Sequence, residues 1–375
     1  MMHYHIILTE LCNSQCRYCY GKSMREENDL NKRFKFDFDA PYISSVSVEK
    51  VKEFLKRDKE PTLIFYGGEP LLQMRRVKEL IDGLKDVPNI QFRMQTNGKL
   101  LDKLDIEYLK KIGKILVSID GKRELTDFNK GEGTYDKVVG NLRLIRKRGY
   151  DGEIVARMCI SEFPDLNEQV RHLLELIDEG LFSSIHWQLD LGFYSCDYDF
   201  ERVKEFIEDY NVSLKKLFEW WIGELYLGRV WKLYPFIGMV EHLFSGREAK
   251  LMCGAGHSNW TITTDGNLVA CPIMGCMPDF YCGNLDSSPS ELREIAPVSK
   301  CASCKYLSDC GGRCLYVNSV ELWPPEGMDL ICSTAKFYID LVKSRMGEIR
   351  LLIESGAIGE KDFEYEKYFG PEIVP

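Results

Sequence analysis

Short apolar runs alternate with amphipathic stretches through the first half of the chain. Runs rich in β-branched and aromatic residues predict strands, whereas apolar residues recurring every three or four positions predict helices. This alternation is typical of a parallel sheet whose strands are joined by helices. The predicted strands are 4–9, 62–66, 91–96, 115–119, 154–160 and 184–189, and the predicted helices are 48–56, 74–84, 105–111, 135–148 and 166–179.

Six such repeats predict an α/β fold, in which residues 1–195 form a partial (β/α)6 TIM-like barrel. The sheet either closes part-way into a barrel or stays open, and in both cases chemistry is expected at the carboxyl ends of the strands. Residues 24–45 interrupt the first repeat. They are predicted to be a surface excursion, and the alternative is a lid or a substrate contact over the barrel mouth.

Three further segments follow the predicted barrel. Residues 196–250 are helical and aromatic, and Pro235 is expected to break or kink that helix. The helical spacing of the aromatic residues favours packing between two domains over a ligand site. Nine of the fourteen cysteines lie within residues 251–340, which predicts a small domain organised by metal rather than by a large apolar core. The tail, residues 341–375, is acidic and aromatic; it has no readable chemistry and is expected to be partly disordered.

Composition excludes several classes of protein. The chain has 375 residues, is 45% hydrophobic and carries a net charge of −9, without a basic tract. Nucleic acid is therefore not an expected partner. No apolar run approaches 18 residues and the N-terminus lacks a signal-peptide pattern, so neither a membrane span nor secretion is expected. The cysteines are accordingly predicted to be metal ligands in a reducing cytoplasm rather than disulfides.

The first cysteine group follows the first predicted strand. Cys12, Cys16 and Cys19 have the spacing CxxxCxxC, so three thiolates within eight residues can converge on one metal centre. Three is one fewer than the number that closes a cubane iron–sulfur cluster or a structural zinc site. One iron of a cubane would remain available to another ligand.

Three polar turns follow the next three predicted strands. They are Gly67-Gly68-Glu69-Pro70, Gln95-Thr96-Asn97-Gly98 and Ser118-Ile119-Asp120-Gly121. The two glycines of the first turn allow a ligand to approach the backbone closely, and Glu69 can accept hydrogen bonds from an ammonium group. Each turn alone is explained as a turn. Together with CxxxCxxC they form a specific combination.

This combination resembles the radical S-adenosyl-L-methionine (SAM) superfamily. The resemblance implies that Cys12, Cys16 and Cys19 hold a [4Fe–4S] cluster, with Tyr18 as the aromatic residue of the motif. It also implies that the amino and carboxylate groups of SAM bind the fourth iron. The SAM contacts it implies are Gly67, Gly68, Glu69 and Pro70 at the amino group, Asn97, Ser118 and Asp120 at the methionine or ribose, and Lys130 or Arg157 at the carboxylate.

The second cysteine group has its own spacing. Seven cysteines follow the pattern Cys253-x12-Gly266-x4-Cys271, Cys301-x2-Cys304-x5-Cys310-x3-Cys314 and Cys332. CxxC pairs suit tetrahedral zinc. The spacing nevertheless resembles the SPASM extension of radical SAM enzymes, which implies two auxiliary [4Fe–4S] clusters and three clusters in all.

The resemblance also implies how these cysteines divide. Cys301, Cys304, Cys310 and Cys332 would hold the distal cluster, and Cys253, Cys271 and Cys314 the inner one. The fourth ligand of the inner cluster is expected to be Cys276, Cys282 or a substrate group. Cys159 and Cys196 are predicted to be ordinary buried thiols.

Because SPASM enzymes mostly act on peptides, the leading hypothesis is an enzyme that installs a crosslink or an oxidation in a ribosomally made peptide or protein. The alternative is an anaerobic sulfatase maturase, which forms formylglycine. In that group an aspartate follows the second SPASM cysteine, and here the position is Pro272. Asp190 is a weak candidate for a base elsewhere. A non-catalytic iron–sulfur electron carrier is a third possibility, but it would not need the GGEP turn.

Two partners follow from the leading hypothesis. One is the peptide or protein substrate, and the other is an external one-electron donor of the ferredoxin or flavodoxin type. Only eleven residues precede Cys12, so a leader-binding domain is not expected before the barrel.

Overall fold

The structure is a computed structural model that describes residues 2–20, 30–161, 165–190 and 199–375. Nine strands of these residues join in one sheet. They are β1 Met2–Ile7, β2 Pro61–Tyr66, β3 Gln91–Thr96, β4 Ile112–Ser118, β5 Glu153–Ile160, β6 Ser184–Leu189, β7 Asn259–Ile262, β8 Asn267–Val269 and β9 Tyr281–Asn284. Their order in the sheet is β6-β5-β4-β3-β2-β1-β7-β8-β9.

Helices cover the outer face of the sheet and extend beyond it. The longer ones are α1 Val48–Leu55, α2 Met74–Gly83, α3 Arg123–Lys130, α4 Thr134–Lys147, α5 Leu166–Asp178, α6 Phe200–Tyr226, α7 Tyr234–Ser245 and α8 Pro325–Glu354, and the short ones are Leu30–Arg33, Ile106–Leu109, Leu307–Cys310 and Leu315–Val320. Side-chain caps define several starts: Ser47 accepts from the Lys50 N–H at α1, and Asp165 accepts from the Glu168 N–H at α5.

The predicted α/β fold with a parallel sheet is confirmed. Strands β1 to β6 pair in parallel with their neighbours, and every predicted strand overlaps an observed one. The sheet curves around the end of the chain, because side chains from separate strands reach the same carboxylate. His3 on β1, Arg93 on β3 and Lys114 on β4 contact Glu366 at 3.2, 3.2 and 2.8 Å. The curved sheet is therefore a partial barrel with the tail inside it.

The cysteine-rich region continues this sheet. Strand β7 pairs in parallel with β1, and β8 and β9 extend it as antiparallel strands. One apolar core runs through both regions and includes Leu8, Val46 and Leu268. This differs from the expected metal-organised region with little apolar core, since pairing with β1 gives the region a share of the barrel's core.

Residues 200–245 form two helices, so of the expected break or kink the structure shows a break. Helix α6 ends at Tyr226, and Pro235 lies in the first turn of α7. Backbone N–H groups in the first turn have no acceptor within the helix, so a proline there removes no helical hydrogen bond. The aromatic residues pack as predicted: Trp221 and Phe236 have ring centroids 5.3 Å apart in the core.

The tail differs most from expectation. Helix α8 crosses the predicted boundary at residue 340, and the residues after it are ordered against the barrel. Phe363, Phe369, Ile373 and Val374 are buried. Phe369 belongs to a small apolar cluster inside the barrel with Ile64, Leu116, Val155 and Tyr234. Acidic tail residues remain inside because buried cations pair with Glu366.

The longest helices do not have the character of membrane spans. Within the described ranges, no helix is both long enough and apolar enough to cross a membrane.

Candidate active site

The GGEP turn lies against the chain segment that leads to Cys12. The Gly68 N–H donates to the Thr9 carbonyl at 2.8 Å, and the Glu69 N–H donates to the Leu11 carbonyl at 2.9 Å. A Cβ at Gly67 would lie 2.3 Å from the Thr9 oxygen, and one at Gly68 would lie 2.4 Å from the Leu11 oxygen. The two glycines therefore make room for the segment that carries the first cysteine, a reason that the sequence did not reveal.

The Glu69 carboxylate joins the ends of β2 and β3. It accepts hydrogen bonds from the Leu71 N–H at 2.9 Å, the Asn97 N–H at 2.8 Å and the Thr96 hydroxyl at 2.8 and 3.0 Å. The side chain is fully buried, and burial raises its pKa. These contacts give Glu69 a positioning role, and its contact with an ammonium group stays a prediction.

Tyr18 connects the cysteine loop to the end of β4. Its hydroxyl donates to the Asp120 carboxylate at 2.6 Å, and the Lys130 ammonium group donates to the same hydroxyl. Asp120 also accepts from the Asn129 amide and the Cys159 N–H, both at 3.0 Å. The sequence-predicted residues Tyr18, Asp120 and Lys130 are thus brought together in one buried network.

Lys130 is already paired within this network. Its ammonium group lies 3.5 Å from an Asp120 oxygen, and both side chains are almost fully buried. Burial alone would lower the pKa of Lys130, but the charge of Asp120 raises it above its ordinary value. Lys130 therefore stays charged beside Cys16. Burial raises the pKa of Cys16, and the charge of Lys130 partly offsets that rise.

The three thiols lie around the end of this loop. The Cys12 sulfur accepts from the Ser14 N–H at 3.4 Å and lies 3.8 Å from the Asn97 amide nitrogen. The charge of Cys16 raises the pKa of Cys12, and the charge of Cys19 raises the pKa of Cys16. The three thiols are therefore close enough to interact. Asn97 therefore lies at the cysteine loop, and its contact with SAM stays a prediction.

Arg157 lies inside the barrel rather than at the cysteine loop. Its guanidinium group contacts the His186 ring nitrogen at 2.9 Å and donates to the Gln188 side chain at 2.6 Å. Ser118 is its register partner on β4. Of the two cations predicted for the SAM carboxylate, Lys130 is therefore the one beside Cys16.

The inner cysteines of the second group come together beneath the barrel interior. The charges of Cys271 and Cys314 both act on Cys253, and all three thiols have their pKa raised by burial, that of Cys271 to about 12. Hydrogen bonds from the backbone at Ala255, Ile273 and Val317 lower the pKa of the respective thiols, but by less than burial raises it. Such donors stabilise the thiolate form, which is the form that binds iron.

The distal cysteines line one cavity of about 60 Å³. Cys301, Cys304, Cys310 and Cys332 all border it, and Cys314 reaches it from the inner group. The Asn318 amide donates to the Cys301 sulfur at 2.9 Å. The four thiols predicted to share the distal cluster thus surround a common space.

The spacing of the donor side chains bears on what they could hold. In the part of the chain that the structure describes, no three Cys, His, Asp or Glu side chains converge closely enough to hold one metal ion. A cubane cluster is itself several ångströms across, so its thiolate ligands lie farther apart than those of a single zinc ion. The shared cavity and the N–H donors to sulfur are consistent with cluster ligation.

The remaining predicted residues are dispersed. Cys282 lies on β9, where its thiol meets the Phe280 carbonyl at 3.5 Å, and burial raises its pKa to about 11. Cys159 is buried at the end of β5, as predicted, and the Asp190 charge acts on it. Cys196 lies outside the described residues. The Asp190 N–H donates to the Ile160 carbonyl at 2.8 Å, and its role as a base stays a prediction.

Sequence reasoning missed the polar residues inside the barrel. Glu366 pairs there with Lys114, the Glu372 carbonyl accepts from His186 on β6, and Arg313 beside Cys314 acts on the Glu372 carboxylate as a nearby charge. The sequence did contain a signal that the tail is buried: after residue 362, glutamates alternate with aromatic residues, which is untypical of a solvated tail.

Comparison with protein families identifies the first half of the chain. Residues 6–177 match the Radical SAM superfamily. The match covers the three cysteines, the three polar turns and the Tyr18 network described above.

Two characterised relatives match most of the chain. The cysteine-type anaerobic sulfatase-maturating enzyme of Clostridium perfringens is 25% identical over 328 residues, which cover 81% of this chain and 85% of that enzyme. The radical SAM cyclopropyl synthase TigE of Paramaledivibacter caminithermalis is 24% identical over 330 residues, which cover 83% and 67% of the two chains.

Solved structures share the fold. A structure of anSMEcpe with bound AdoMet and the Cp18Cys peptide has a TM-score of 0.69 and 20% identity, and the match covers 94% of this chain and 99% of that one. Streptococcus suis SuiB bound to its precursor peptide SuiA has a TM-score of 0.54 and 15% identity, covering 85% and 73%.

Proposed function

Since this chain carries a radical SAM domain, with SAM and a [4Fe–4S] cluster as its implied cofactors, we propose that it modifies a peptide or protein substrate by abstracting a hydrogen atom. The product is a crosslink, as a thioether or a C–C bond, or an oxidised residue. The observation that carries the proposal is the attachment of the three-cysteine loop to the ends of β2, β3 and β4 through Glu69, Asn97 and Asp120.

Cys12, Cys16 and Cys19 would hold the cluster that binds SAM. When bound, this pair supplies a 5′-deoxyadenosyl radical, after reduction by an external donor of the ferredoxin or flavodoxin type. The chain's own contribution is to orient the loop through Tyr18 and to keep Lys130 charged beside Cys16. Backbone oxygens and nitrogens of residues 67–70 border the same loop.

Two auxiliary clusters belong to the proposal. The distal four cysteines share a cavity, and the inner three cysteines interact with each other. Anaerobic reconstitution should then give about twelve irons per chain. An iron content near four, accompanied by bound zinc, would show that the second cysteine group holds zinc instead.

A peptide is the favoured class of substrate. The segment of residues 34–45 lies beside the cysteine loop through hydrogen bonds such as that from the Glu10 N–H to the Tyr42 carbonyl at 2.8 Å. It exposes Phe38, Tyr42 and Ile43 near the exposed Leu11. Exposed apolar groups at the mouth of a barrel suit an extended chain with large side chains. Relatives with peptides bound support the same class.

Formylglycine formation is the second candidate. The match to the Clostridium enzyme over 85% of its length favours it. Pro272 counts against it, because it begins a 3-10 turn directly after Cys271 and offers no base where that group of enzymes has an aspartate.

Mass spectrometry of peptides incubated with SAM and the reduced, cluster-loaded protein tests the proposal. The substrates are synthetic peptides for small open reading frames beside the gene, and a cysteine-containing sulfatase peptide. A product lighter by two hydrogen atoms, without a free aldehyde, is expected from a neighbouring peptide. Hydrazide-reactive aldehyde in the sulfatase peptide would favour formylglycine formation. Formation of 5′-deoxyadenosine with every peptide unchanged would contradict a peptide substrate.

A further inference from the structure

The end of the tail is held between the two segments that carry inner cysteines. At one side, Tyr368 packs directly on Gly254, the residue after Cys253: a Cβ on Gly254 would lie 2.7 Å from the Tyr368 Cβ. At the other side, the Arg313 side chain donates to the Pro375 carbonyl at 3.0 Å, and Arg313 precedes Cys314. Residues 368–375 therefore span the space between Cys253 and Cys314.

Glu372 lies within that span, and its backbone is fixed. The His186 ring donates to the Glu372 carbonyl at 2.6 Å, which anchors the tail to β6. The Glu372 side chain is the acidic group whose charge acts on Cys253, Cys271 and Cys314 alike. One carboxylate is thus close enough to act on all three thiols that the sequence left with an incomplete ligand set.

The carboxylate lacks a partner of its own. Among the residues that the structure describes, its oxygens make no hydrogen bond or ion pair, and Arg157 and Arg313 act on it only as nearby charges. Burial raises its pKa. A buried carboxylate without a partner is costly, and binding to a cation offsets that cost. Glu372, Cys271 and Cys314 are each partly exposed rather than fully covered.

Of the two cysteines predicted as fourth ligands, Cys282 lies elsewhere. The thiol of Cys282 interacts with the Trp260 side chain, and Trp260 stacks on Tyr4 on the outer face of the sheet. The neighbouring Asn259 points to the inner face, where it bonds His5 and the Cys253 carbonyl. Cys276 acts on Tyr281 and on Tyr316, and Tyr316 is also acted on by Cys271 and Cys314, so Cys276 lies closer to the inner cysteines than Cys282 does.

We propose that Glu372 is the fourth protein ligand of the inner auxiliary cluster, beside Cys253, Cys271 and Cys314. This inference rests on the auxiliary clusters proposed above. A carboxylate oxygen is a harder and more weakly held ligand of iron than a thiolate, so the iron it binds should be the most labile of the cluster. The tail, which the sequence left without a role, would then complete the cluster.

The test uses the full-length chain with Cys12, Cys16 and Cys19 replaced by Ala, so that only auxiliary iron is counted. Reconstituted protein should hold about eight irons per chain. In that background Glu372→Gln should hold about seven and, after mild oxidation, give the EPR signal of a [3Fe–4S] cluster. Glu372→Cys should restore about eight irons, since a thiolate replaces the carboxylate. Glu364→Gln is the matched control, because Glu364 is an exposed tail glutamate.

Several outcomes overturn the proposal. Glu372→Gln with full iron content and an unchanged EPR spectrum would show that the carboxylate is not a ligand. If Glu372→Gln loses the whole inner cluster and Glu372→Cys restores that cluster, the result supports ligation by Glu372. If Glu372→Cys does not restore the cluster, Glu372 has only a structural role. A parent protein without auxiliary iron would refute the clusters themselves, while SAM cleavage by the wild type would still stand.

Discussion

The hydroxyl group of Tyr18 donates a hydrogen bond to Asp120 over 2.6 Å, and this bond fastens the three-cysteine loop to the carboxyl end of β4. The two residues are 102 positions apart in the chain. The parallel sheet brings them together, because β1 and β4 both end at the same edge.

Replacing Tyr18 by Phe should loosen the loop without unfolding the protein. A hydrogen bond to a charged group contributes about 1.5–3 kcal/mol. We expect weaker binding of SAM and a lower iron content at Cys12, Cys16 and Cys19, measured by titration and by iron analysis. Tyr226→Phe is the control, since it also removes a tyrosine–carboxylate bond, to Glu348, but on an exposed surface. Equal SAM affinity in both variants would contradict this role of Tyr18.

Gly68→Ala should displace the segment that leads to Cys12. The added Cβ would lie 2.4 Å from the Leu11 carbonyl oxygen, so the backbone must move. We expect loss of the SAM-binding cluster, seen as about four irons fewer per chain, while the auxiliary iron remains.

Gly140→Ala provides the comparison for this substitution. Gly140 lies in α4, and an added Cβ there meets nothing within 4 Å. That variant should keep all its iron and gain about 0.5–1 kcal/mol of stability from helix propensity. Full iron content in Gly68→Ala would show that the close contact with Leu11 does not position the loop.

Glu366→Gln should destabilise the barrel in a pH-dependent way. Burial alone would raise the pKa of Glu366, but the hydrogen bond from His3 and the charges of Lys114 and Arg93 hold it well below its ordinary value. A depressed native pKa adds stability above the unfolded value of about 4.3, and this stability is lost as the pH falls toward the native value.

We therefore expect the variant to lose about 3–5 kcal/mol of unfolding free energy at neutral pH, and the loss to shrink below about pH 4. Urea unfolding at several pH values measures this difference in unfolding free energy. The cluster-free protein is used because loss of iron in acid would otherwise contribute to the result. Glu364→Gln should show neither effect, because its side chain is exposed. A loss that is constant with pH would mean that the charge of Glu366 is not what stabilises the barrel.

The sequence predicted the barrel strands and helices because each has a clear period and a turn at its ends. Strands β3 and β6 have the predicted bounds, and α1, α2 and α5 begin where predicted. The residues of the Tyr18 network could also be picked out as far as Lys130, since the motif residues follow predicted strands.

Other features depend on contacts that no local pattern encodes. The pairing of β7 with β1 joins segments more than 250 residues apart, so the continuous sheet could not be read from either segment. The tail looked solvated because its glutamates were counted without their buried partners, Lys114 and Arg93 among them. The roles of Gly67 and Gly68 differ from expectation because the nearest backbone belongs to residues 9–11 rather than to a ligand.

The most direct test of the account is the formation of 5′-deoxyadenosine from SAM by the anaerobically reconstituted, reduced protein. The wild type should cleave SAM, and the variant with Cys12, Cys16 and Cys19 replaced by Ala should not, although it keeps about eight auxiliary irons per chain. Cleavage by that variant, or no cleavage by the fully loaded wild type, would contradict the account.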